Sequence, residues 1–392
     1  HRHNRRSRHG GDETLRARHQ VGFELKAKST LSIANRFPRI TSMAFQIVVQ
    51  PSGRSFTVDG DETLLSAGIR QGLNMPYGCK DGACGSCKCK KISGEVQLGT
   101  YQTKALSDKE RAQGLVLTCC ATALSDVVLE SKQVTSADAF PMKKMPVRIA
   151  SLEKVSSDVM RIFLQLPATE LMQYHAGQYV EFLLRDGSRR AYSIANAPHT
   201  LAAGAPILEL HIRHMPGGKF TDHVFGAMKE KEIQRIEGPQ GSFFLREDNP
   251  EPLVFLASGT GFAPIKAIIE HMRHSGITRP VKLYWGGRRP KDFYRDALCQ
   301  SWAKEMPNFS YIPVASEPTP EDQWTGRTGF VHVAAMEDNP DMSAYQVYAC
   351  GAPIVVESAK NDFVAKCHLP ADEFYADAFT SAADLAKKNA TA

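Results

Sequence analysis

The segment "GCKDGACGSCKCK" (residues 78–90) concentrates four of the chain's nine cysteines and three glycines. Three of the cysteines follow the spacing Cys79-x4-Cys84-x2-Cys87, and a cysteine pair follows at 119–120. This is the plant-type spacing by which four thiolates hold a [2Fe-2S] cluster. Glycines between the ligands let backbone N–H groups approach the sulfurs, as a loop bent around a cluster requires. The segment therefore predicts an iron-sulfur loop at the centre of a small domain.

Zinc binding and buried free thiols are the alternative uses of these cysteines. Structural zinc sites usually combine two Cys-x2-Cys pairs, whereas this segment has one such pair preceded by a four-residue gap. Cys89 follows where the chain should leave the loop as a strand, so we interpret it as a buried structural residue. Adjacent residues of an extended chain point in opposite directions, so only one of Cys119 and Cys120 can face the irons.

The composition is that of a globular chain of two or three domains. It has 392 residues, 42% of them hydrophobic and 23% charged. Domains typically hold 50–200 residues. No apolar run approaches the roughly 20 residues that a membrane helix needs, so we expect no membrane span. An odd number of cysteines without an apolar export signal favours metal or redox use in the cytoplasm over a disulfide scaffold.

The net charge of +6 is located at the start of the chain. Residues 1–42 contain ten Lys and Arg against three acidic residues, so the remainder is close to neutral and no nucleic-acid partner is expected. We interpret 1–42 as a disordered basic extension outside the fold; an upstream translated segment, a basic arm and a targeting peptide are all compatible with it.

The hydrophobic patterns change along the chain and predict three folded domains. Short strands and one helix are predicted around the cysteine loop. The alternating runs that follow, such as "VMRIFLQL" and "LELHIRH", indicate an antiparallel barrel. In the last part of the chain, apolar strands that alternate with helices indicate a parallel sheet. The predicted segments are a ferredoxin-like domain (43–134), a linker (135–146), a barrel domain (147–248), a nucleotide-binding domain (249–385) and a tail (386–392).

The chain resembles the family of NAD(P)H reductases in which a plant-type ferredoxin domain is fused to a flavodoxin/ferredoxin reductase unit. Reductase components of benzoate dioxygenase, phenol hydroxylase and methane monooxygenase belong to it. The resemblance begins at "YGCKDGACGSCKCK" and covers about 44–385. Through "ASGTGFAPIKAIIEH", "YWGGRRPKDFY" and "EFYADAF" it extends to reductases of the CDP-4-keto-6-deoxyglucose 3-dehydrase system.

This resemblance implies a multidomain fold of a β-grasp ferredoxin domain, an antiparallel β-barrel flavin domain and an α/β parallel-sheet domain. It implies a [2Fe-2S] cluster, FAD and NADH as cofactors, with NADPH as an alternative. Related domains carry the fourth ligand directly after a "VLTC" run, so we expect the cluster ligands to be Cys79, Cys84, Cys87 and Cys119.

The flavin residues are expected in two segments of the barrel. "RRAYSIAN" matches the family's Arg-x-Tyr-Ser motif, in which Arg190 supplies a cation for the pyrophosphate, Tyr192 an aromatic face and Ser193 a hydroxyl near flavin N5. "HMPGGKFTDHVF" resembles the second flavin segment, where the glycines at 217–218 and Thr221 would offer an anion site for FAD phosphate at a helix start. The turn "EGPQGSF" after it is interpreted as structural.

The nicotinamide residues are expected at three strand ends. The turn Gly259–Thr260–Gly261 is a weak signal alone, since it is not the Gly-x-Gly-x-x-Gly fingerprint, but it follows the flavin motif. In the family, Cys350 and Gly351 lie beside the nicotinamide. The other candidate residues are Arg288 and Arg289 for a 2′-phosphate, and Phe379 as the aromatic that covers the flavin.

The implied function is electron transfer from NAD(P)H through FAD and the cluster to a partner redox enzyme. The expected partner is a dehydrase or an oxygenase component, and a free-standing reductase of small acceptors is the alternative. We expect a monomer when the partner is absent. Lys80, Lys88, Lys90 and Lys91 against Asp81 suggest that a basic rim at the cluster loop steers docking on an acidic patch of the partner.

Overall fold

Three large sheets follow one another along the part of the chain that the structure describes, each beside its own buried apolar core. This is a computed structural model, and it describes residues 44–135, 139–170, 172–201 and 205–380. The predicted basic extension (1–42) and tail (386–392) lie outside the described residues. No helix within the described ranges is long and apolar enough to cross a membrane.

The first domain is a five-stranded mixed sheet with a helix packed on it. Its elements are β1 (Ala44–Gln50), β2 (Arg54–Asp59), α1 (Leu64–Arg70), β3 (Lys88–Ser93), β4 (Val96–Leu98), α2 (Asp108–Ala112), β5 (Leu115–Leu117), β6 (Ala121–Ala123) and β7 (Val127–Glu130). The strand order is β2-β1-β7-β3-β5, and β4 pairs with β6 outside this sheet. The central pair β1–β7 is parallel and the other pairs are antiparallel.

Local sequence accounts for the start of this domain. In β1, Ile47 and Val49 alternate with more exposed neighbours and are fully buried, as one face of a half-buried strand requires. The side chain of Thr63 accepts a hydrogen bond from the Ser66 N–H at 3.2 Å and caps helix α1. The sequence-predicted strands and helix around the cysteine loop are therefore confirmed.

The second domain is a six-stranded antiparallel barrel. Its elements are β8 (Lys143–Lys154), β9 (Val159–Gln165), β10 (Tyr179–Leu183), β11 (Arg189–Ser193), β12 (Ile207–Arg213), α3 (Lys219–Gly226) and β13 (Ile233–Gln240). The strand order is β11-β10-β13-β8-β9-β12. A bridge between Ile194 and Leu210 joins the two ends of this order and closes the barrel.

The third domain is a six-stranded sheet in which every described pair is parallel. Its elements are β14 (Leu253–Ser258), α4 (Phe262–Ser275), β15 (Val281–Gly287), α5 (Asp296–Glu305), β16 (Phe309–Ala315), β17 (Arg327–Thr328), α6 (Val331–Asp338), β18 (Gln346–Gly351), α7 (Pro353–Lys366) and β19 (Phe374–Ala378). The order is β17-β16-β15-β14-β18-β19, so β14 and β18, whose ends carry the predicted nicotinamide residues, are neighbours. The predicted fold class is confirmed.

The boundary between the first two domains differs from the sequence expectation. The predicted linker (135–146) reaches into β8, because Lys143 to Pro146 pair with β13 through Gly238 to Arg235. Proline suggested a linker, but Pro146 lies within a strand and remains exposed. The linker is therefore shorter than predicted, and residues 136–138 within it lie outside the described ranges.

A buried charge joins the barrel to the parallel-sheet domain. Lys266 of α4 donates to the Ala195 carbonyl oxygen at 2.9 Å and pairs with the Glu209 carboxylate at 3.0 Å. Both charged side chains are more than nine-tenths buried. A buried charge is tolerated only when it is paired and hydrogen-bonded, so this contact specifies how the two domains pack together.

Candidate functional site

The predicted cluster loop turns backbone N–H groups toward its first two cysteine sulfurs. Cys79 Sγ accepts the N–H groups of Asp81 and Ala83, both at 3.4 Å. Cys84 Sγ accepts the N–H groups of Cys79 at 3.4 Å and Ser86 at 3.5 Å. A hydrogen bond from the Cys79 thiol is the largest of the effects that lower the pKa of Cys84 to about 5 against burial, and the N–H groups of Cys79 and Ser86 lower it further. N–H donors directed at sulfur stabilise thiolates, the form that ligates iron.

The other two predicted ligands form a second close pair. Cys87 Sγ and Cys119 Sγ lie 3.2 Å apart, and both residues are buried. Within the described residues the thiols occur as two pairs and do not form a single cluster of three or more metal-ligating groups. Two pairs of thiols are the donor set that two irons need, so the residues present fit a [2Fe-2S] cluster.

Glycine is required at position 82 of the loop by the space that Cys120 and Tyr101 occupy. Gly82 has φ +69°, and a Cβ on it would lie 2.6 Å from Cys120 Sγ and 2.9 Å from Tyr101 Cβ. Cys120 Sγ lies 3.6 Å from Cys119 Sγ. Cys120 therefore lies beside the site, while Cys119 is the cysteine whose sulfur contacts that of Cys87. The choice of Cys119 as the fourth ligand stays a prediction.

Cys89 lies apart from the other three cysteines of the loop. It is 1% exposed on strand β3 and belongs to the core of the first domain, where burial raises its pKa to about 12. Since a buried neutral thiol behaves as a small apolar residue, this geometry agrees with a structural role.

The barrel anchors the cluster loop through the turn that we interpreted as only structural. The Tyr77 hydroxyl accepts the Gly241 N–H at 2.7 Å, and the Tyr77 N–H donates to Ser242 Oγ at 2.9 Å. Ser242 Oγ donates in turn to the Tyr77 carbonyl oxygen at 3.1 Å. This role could not be predicted from the sequence, because glycine and serine in a turn usually stabilise the turn itself.

The lysines of the predicted basic rim have local partners. Lys80 pairs with Glu181 of the barrel at 3.4 Å, Lys88 with Glu110 at 2.5 Å, and Lys90 with Glu130 at 3.9 Å. Lys91 Nζ donates to the Gly94 carbonyl oxygen at 2.7 Å. The positive charge of the loop lysines is therefore largely compensated by acidic residues of the same chain. An acidic docking patch on the partner protein stays a prediction.

The two predicted flavin segments meet on one side of the barrel. Tyr192 of β11 lies against Phe220 of α3, with ring centroids 5.4 Å apart. Arg190 lies on the same strand, where its Nη1 donates to the Arg189 carbonyl oxygen at 2.7 Å, and Ser193 is buried at the strand end. Arg190 and Tyr192, two residues apart, lie on the same face of β11, and the Ser193 hydroxyl lies at the end of the strand, so this strand offers a cation, an aromatic ring and a hydroxyl, which fits a flavin.

The second flavin segment uses most of its polar groups internally. Gly217 has φ +81° and donates its N–H to Asp222 Oδ2 at 3.1 Å, and the Gly218 N–H donates to the Met215 carbonyl oxygen at 2.8 Å. The Thr221 hydroxyl donates to the same Met215 oxygen at 2.9 Å. These residues build the turn that starts α3, and their contact with FAD phosphate stays a prediction.

Close approach of two strand ends explains the glycines of the nicotinamide motif. A Cβ on Gly261 would lie 2.1 Å from the Cys350 carbonyl oxygen, and a Cβ on Gly351 would lie 2.4 Å from the Ser258 carbonyl oxygen. Thr260 is buried between them in the turn that Gly259 opens. Glycine at these positions lets the ends of β14 and β18 touch and places Cys350 beside the turn.

A cavity of about 260 Å³ opens at these strand ends. Gly259 and Thr260 line it together with Arg288 at the end of β15. Arg289 is turned away, because its guanidinium donates to the Asp322 carboxylate and to Thr319 Oγ1 at 2.6 Å. Only one of the two arginines considered for a 2′-phosphate therefore faces the cavity.

Asp377 lies among the candidate site residues, and the sequence reasoning missed it. Its Oδ2 lies 3.9 Å from Cys350 Sγ, and it is hydrogen-bonded to the Ser193 hydroxyl. Burial, reinforced by the charge of Cys84, raises the pKa of Asp377 to about 7, while the bonds from Cys350 and Ser193 oppose the shift. The flavin strand and the nicotinamide strand thus meet at one carboxyl group.

The only sequence signal for Asp377 was its position two residues before Phe379 on a strand. Phe379 is 37% exposed, and its N–H donates to the Gly351 carbonyl oxygen at 2.8 Å, which places it beside the predicted nicotinamide residues. Its role as a cover for the flavin stays a prediction.

Exchange of single cysteines tests the ligand assignment. Cys119→Ser should lose the cluster absorbance and most of the bound iron, because the fourth thiolate is missing. Cys120→Ser and Cys89→Ser should keep both, as matched controls for thiol loss in the same domain. Iron content and the visible spectrum measure the outcome, and loss of iron from Cys120→Ser with retention in Cys119→Ser would reverse the assignment.

Exchange of Gly261 tests the nicotinamide turn. Gly261→Ala should slow the reduction of the flavin by NADH more than tenfold, because the new Cβ would overlap the Cys350 carbonyl oxygen and force the strand ends apart. FAD and iron contents should be unchanged. The control is Gly226→Ala, where a Cβ meets nothing within 4 Å. Normal rates in Gly261→Ala would show that this approach is not needed.

Comparison with known proteins agrees with this geometry. Three family models match in order: the 2Fe-2S iron-sulfur cluster binding domain at 47–124, the oxidoreductase FAD-binding domain at 146–245 and the oxidoreductase NAD-binding domain at 255–361. The chain is 42% identical to the CDP-6-deoxy-L-threo-D-glycero-4-hexulose-3-dehydrase reductase of Yersinia pseudotuberculosis, over 86% of this chain and 99% of that protein.

Two further similar proteins match a comparable share of this chain. The phenol hydroxylase P5 protein of Acinetobacter pittii is 34% identical over 87% of this chain and 96% of its own length. The crystal structure of the Amycolatopsis cytochrome P450 reductase GcoB superimposes with a TM-score of 0.68 at 32% identity, over 86% of this chain and 99% of that one. The chain therefore belongs to the family of iron-sulfur flavoprotein reductases, which carry electrons from NAD(P)H through FAD and a [2Fe-2S] cluster.

Proposed function

We propose that this chain is the reductase component for a dehydrase that acts on a CDP-linked 4-keto-6-deoxy sugar. The observation that carries a reductase function is that Ser193 of the flavin strand and Cys350 of the nicotinamide strand both contact one buried carboxyl group, Asp377, which brings the two sides of hydride transfer together. The choice of acceptor is supported by the 42% identity to a hexulose-3-dehydrase reductase along almost that whole protein.

Some residues around Asp377 position the groups between which the hydride moves, and Asp377 itself accepts the proton. When bound, FAD would supply the hydride acceptor and the [2Fe-2S] cluster would supply one-electron transfer. Cys350 and the glycine at 261 hold the nicotinamide side of the site, and Ser193 holds the flavin side. Asp377 is placed to accept, through the Ser193 hydroxyl, the proton that accompanies the electrons.

Protonation of Asp377 is expected to make the reduction rate depend on pH. Because its pKa is raised from 3.8 to about 7, the carboxyl is protonated below that pH and cannot accept a proton. NADH-dependent reduction of cytochrome c should therefore fall as the pH decreases through about 7. Asp377→Asn should lower the maximal rate at least tenfold and remove this inflection.

Asp372→Asn is the matched control, since Asp372 pairs with Lys132 at 2.8 Å outside the centre. It should keep both the rate and the inflection. The same pH profile in wild type and Asp377→Asn would contradict a proton-accepting role for Asp377.

NADH is the proposed reductant. Of the two arginines considered for a 2′-phosphate, only Arg288 lines the cavity, and the Arg289 guanidinium is bound to the Asp322 carboxylate. Monomeric behaviour and a cytoplasmic location stay predictions.

Reconstitution tests the proposed acceptor. The purified holoprotein is mixed with NADH and either the CDP-sugar dehydrase and its substrate or the oxygenase component of a phenol hydroxylase. We expect NADH consumption that depends on the dehydrase and matches the deoxygenated sugar formed. Coupled turnover with the oxygenase alone would assign the chain to an oxygenase system, and rates with small acceptors that neither partner alters would indicate a free-standing reductase.

A further inference from the structure

Strand β10 of the barrel packs against the core of the first domain as well as its own. Successive residues of a strand point to opposite faces, and Val180 and Phe182 lie in the core of the barrel. Tyr179 points the other way, is 6% exposed and packs in the core of the first domain. Among the described residues, it is the only one of the barrel that belongs to this core. One strand of the flavin domain is thus fixed to the domain that carries the cluster loop.

Tyr179 connects the cluster loop with the end of the flavin strand. Its hydroxyl donates to the Gly78 carbonyl oxygen at 3.3 Å, one residue before the predicted ligand Cys79. In the sheet, Tyr179 is the register partner of Ser193, the predicted flavin residue at the end of β11. Directly opposite residues of an antiparallel pair share a face, with Cβ atoms about 4.5–5.5 Å apart. A single residue therefore lies next to Ser193 on one side and contacts the neighbour of Cys79 on the other.

The barrel turn leaves room for the ring of Tyr179. Gly241 has φ +95°, and a Cβ on it would lie 2.8 Å from Cδ1 and 2.9 Å from Cε1 of Tyr179. The same glycine donates its N–H to the Tyr77 hydroxyl at 2.7 Å, just before the cluster loop. Because protein interiors are close-packed, a ring enclosed in this way fixes the separation between the loop and the sheet.

A second residue on this face of β10 also reaches the loop. Glu181, two residues after Tyr179, pairs with Lys80 at 3.4 Å, and Lys80 donates to the Gln240 side chain as well. The Lys80 side chain is 33% exposed, and partly exposed ion pairs contribute little to stability. Of the two contacts from this strand, the buried one at Tyr179 is therefore expected to fix the loop.

We propose that Tyr179 is a positioning residue for electron transfer from the flavin to the cluster. Its ring sets the separation between the flavin strand and the cluster loop, and its hydroxyl holds the loop at Gly78. One electron at a time leaves the reduced flavin and enters the oxidised cluster, and Tyr179 itself is neither oxidised nor deprotonated. Electron transfer slows steeply as two centres move apart, so loss of the ring acts on this step. The proposal applies to a dehydrase and to an oxygenase partner alike, since this step precedes the acceptor.

Tyr179→Leu tests the proposal in the holoprotein, by anaerobic stopped-flow mixing with NADH. Reduction of the cluster by the flavin should slow about tenfold or more, because the loop is no longer held at a fixed distance. Reduction of the flavin by NADH should keep its rate. Amide hydrogen exchange in residues 78–90 should become faster, which reports the position of the loop without any turnover.

Tyr174→Leu is the matched control. Tyr174 is 3% exposed, and its hydroxyl donates to the Asn196 carbonyl oxygen at 2.8 Å within the barrel. This exchange removes an equally buried ring and the same kind of hydrogen bond from the same domain. It should destabilise the fold to a similar extent but leave the rate of cluster reduction unchanged.

A wild-type rate of cluster reduction in Tyr179→Leu that retains FAD and iron would overturn the proposal, as would equal losses in flavin reduction and cluster reduction. If Tyr179→Leu does not fold, Tyr179→Phe decides, because it keeps the ring and removes only the hydroxyl. We expect amide exchange in residues 78–90 of Tyr179→Phe to be about threefold faster or more, as the loss of one hydrogen bond predicts. Exchange equal to that of the wild type would contradict the proposal.

Discussion

The hydrogen bonds that fix Tyr77 to the barrel turn at Gly241 and Ser242 are the contacts on which the arrangement of the redox groups depends. They lie two residues before the first predicted ligand and set the position of the cluster loop relative to the flavin strand. A buried N–H that lost its acceptor would cost about 1–3 kcal/mol, so the loop has a defined docked position. Electron transfer within one chain requires such a fixed geometry more than it requires any catalytic side chain.

The same fold buries an ionisable carboxyl group, that of Asp377, between the flavin strand and the nicotinamide strand. Its carboxyl is buried beside Cys350 and Ser193, and this burial raises its pKa to about 7. Hydride transfer followed by single-electron steps releases a proton, and a group with a pKa near the working pH is suited to accept it. The buried contact of Lys266 with Glu209 stabilises the next interface, where the nucleotide domain meets the barrel.

The cysteine spacing and the order of strand patterns were enough to predict the three-domain fold, because both are properties of adjacent residues. Contacts between domains could not be predicted in this way. Nothing in "EGPQGSF" separates a turn that only closes a barrel from one that holds Tyr77, and nothing in "DEFYADAF" distinguishes Asp377 from Asp372. Charge was misleading for the same reason: the lysines near the loop are adjacent in sequence, but their acidic partners lie on other elements and, for Lys80, in another domain.

The central claim is that the cluster receives electrons from the flavin of the same molecule. Anaerobic stopped-flow mixing of the holoprotein with NADH measures this directly, by following the absorbance of the flavin and of the cluster at several protein concentrations. We predict that cluster reduction is first order with a rate constant independent of protein concentration. A rate that increases in proportion to protein concentration would contradict the account, because the cluster would then be filled by another molecule.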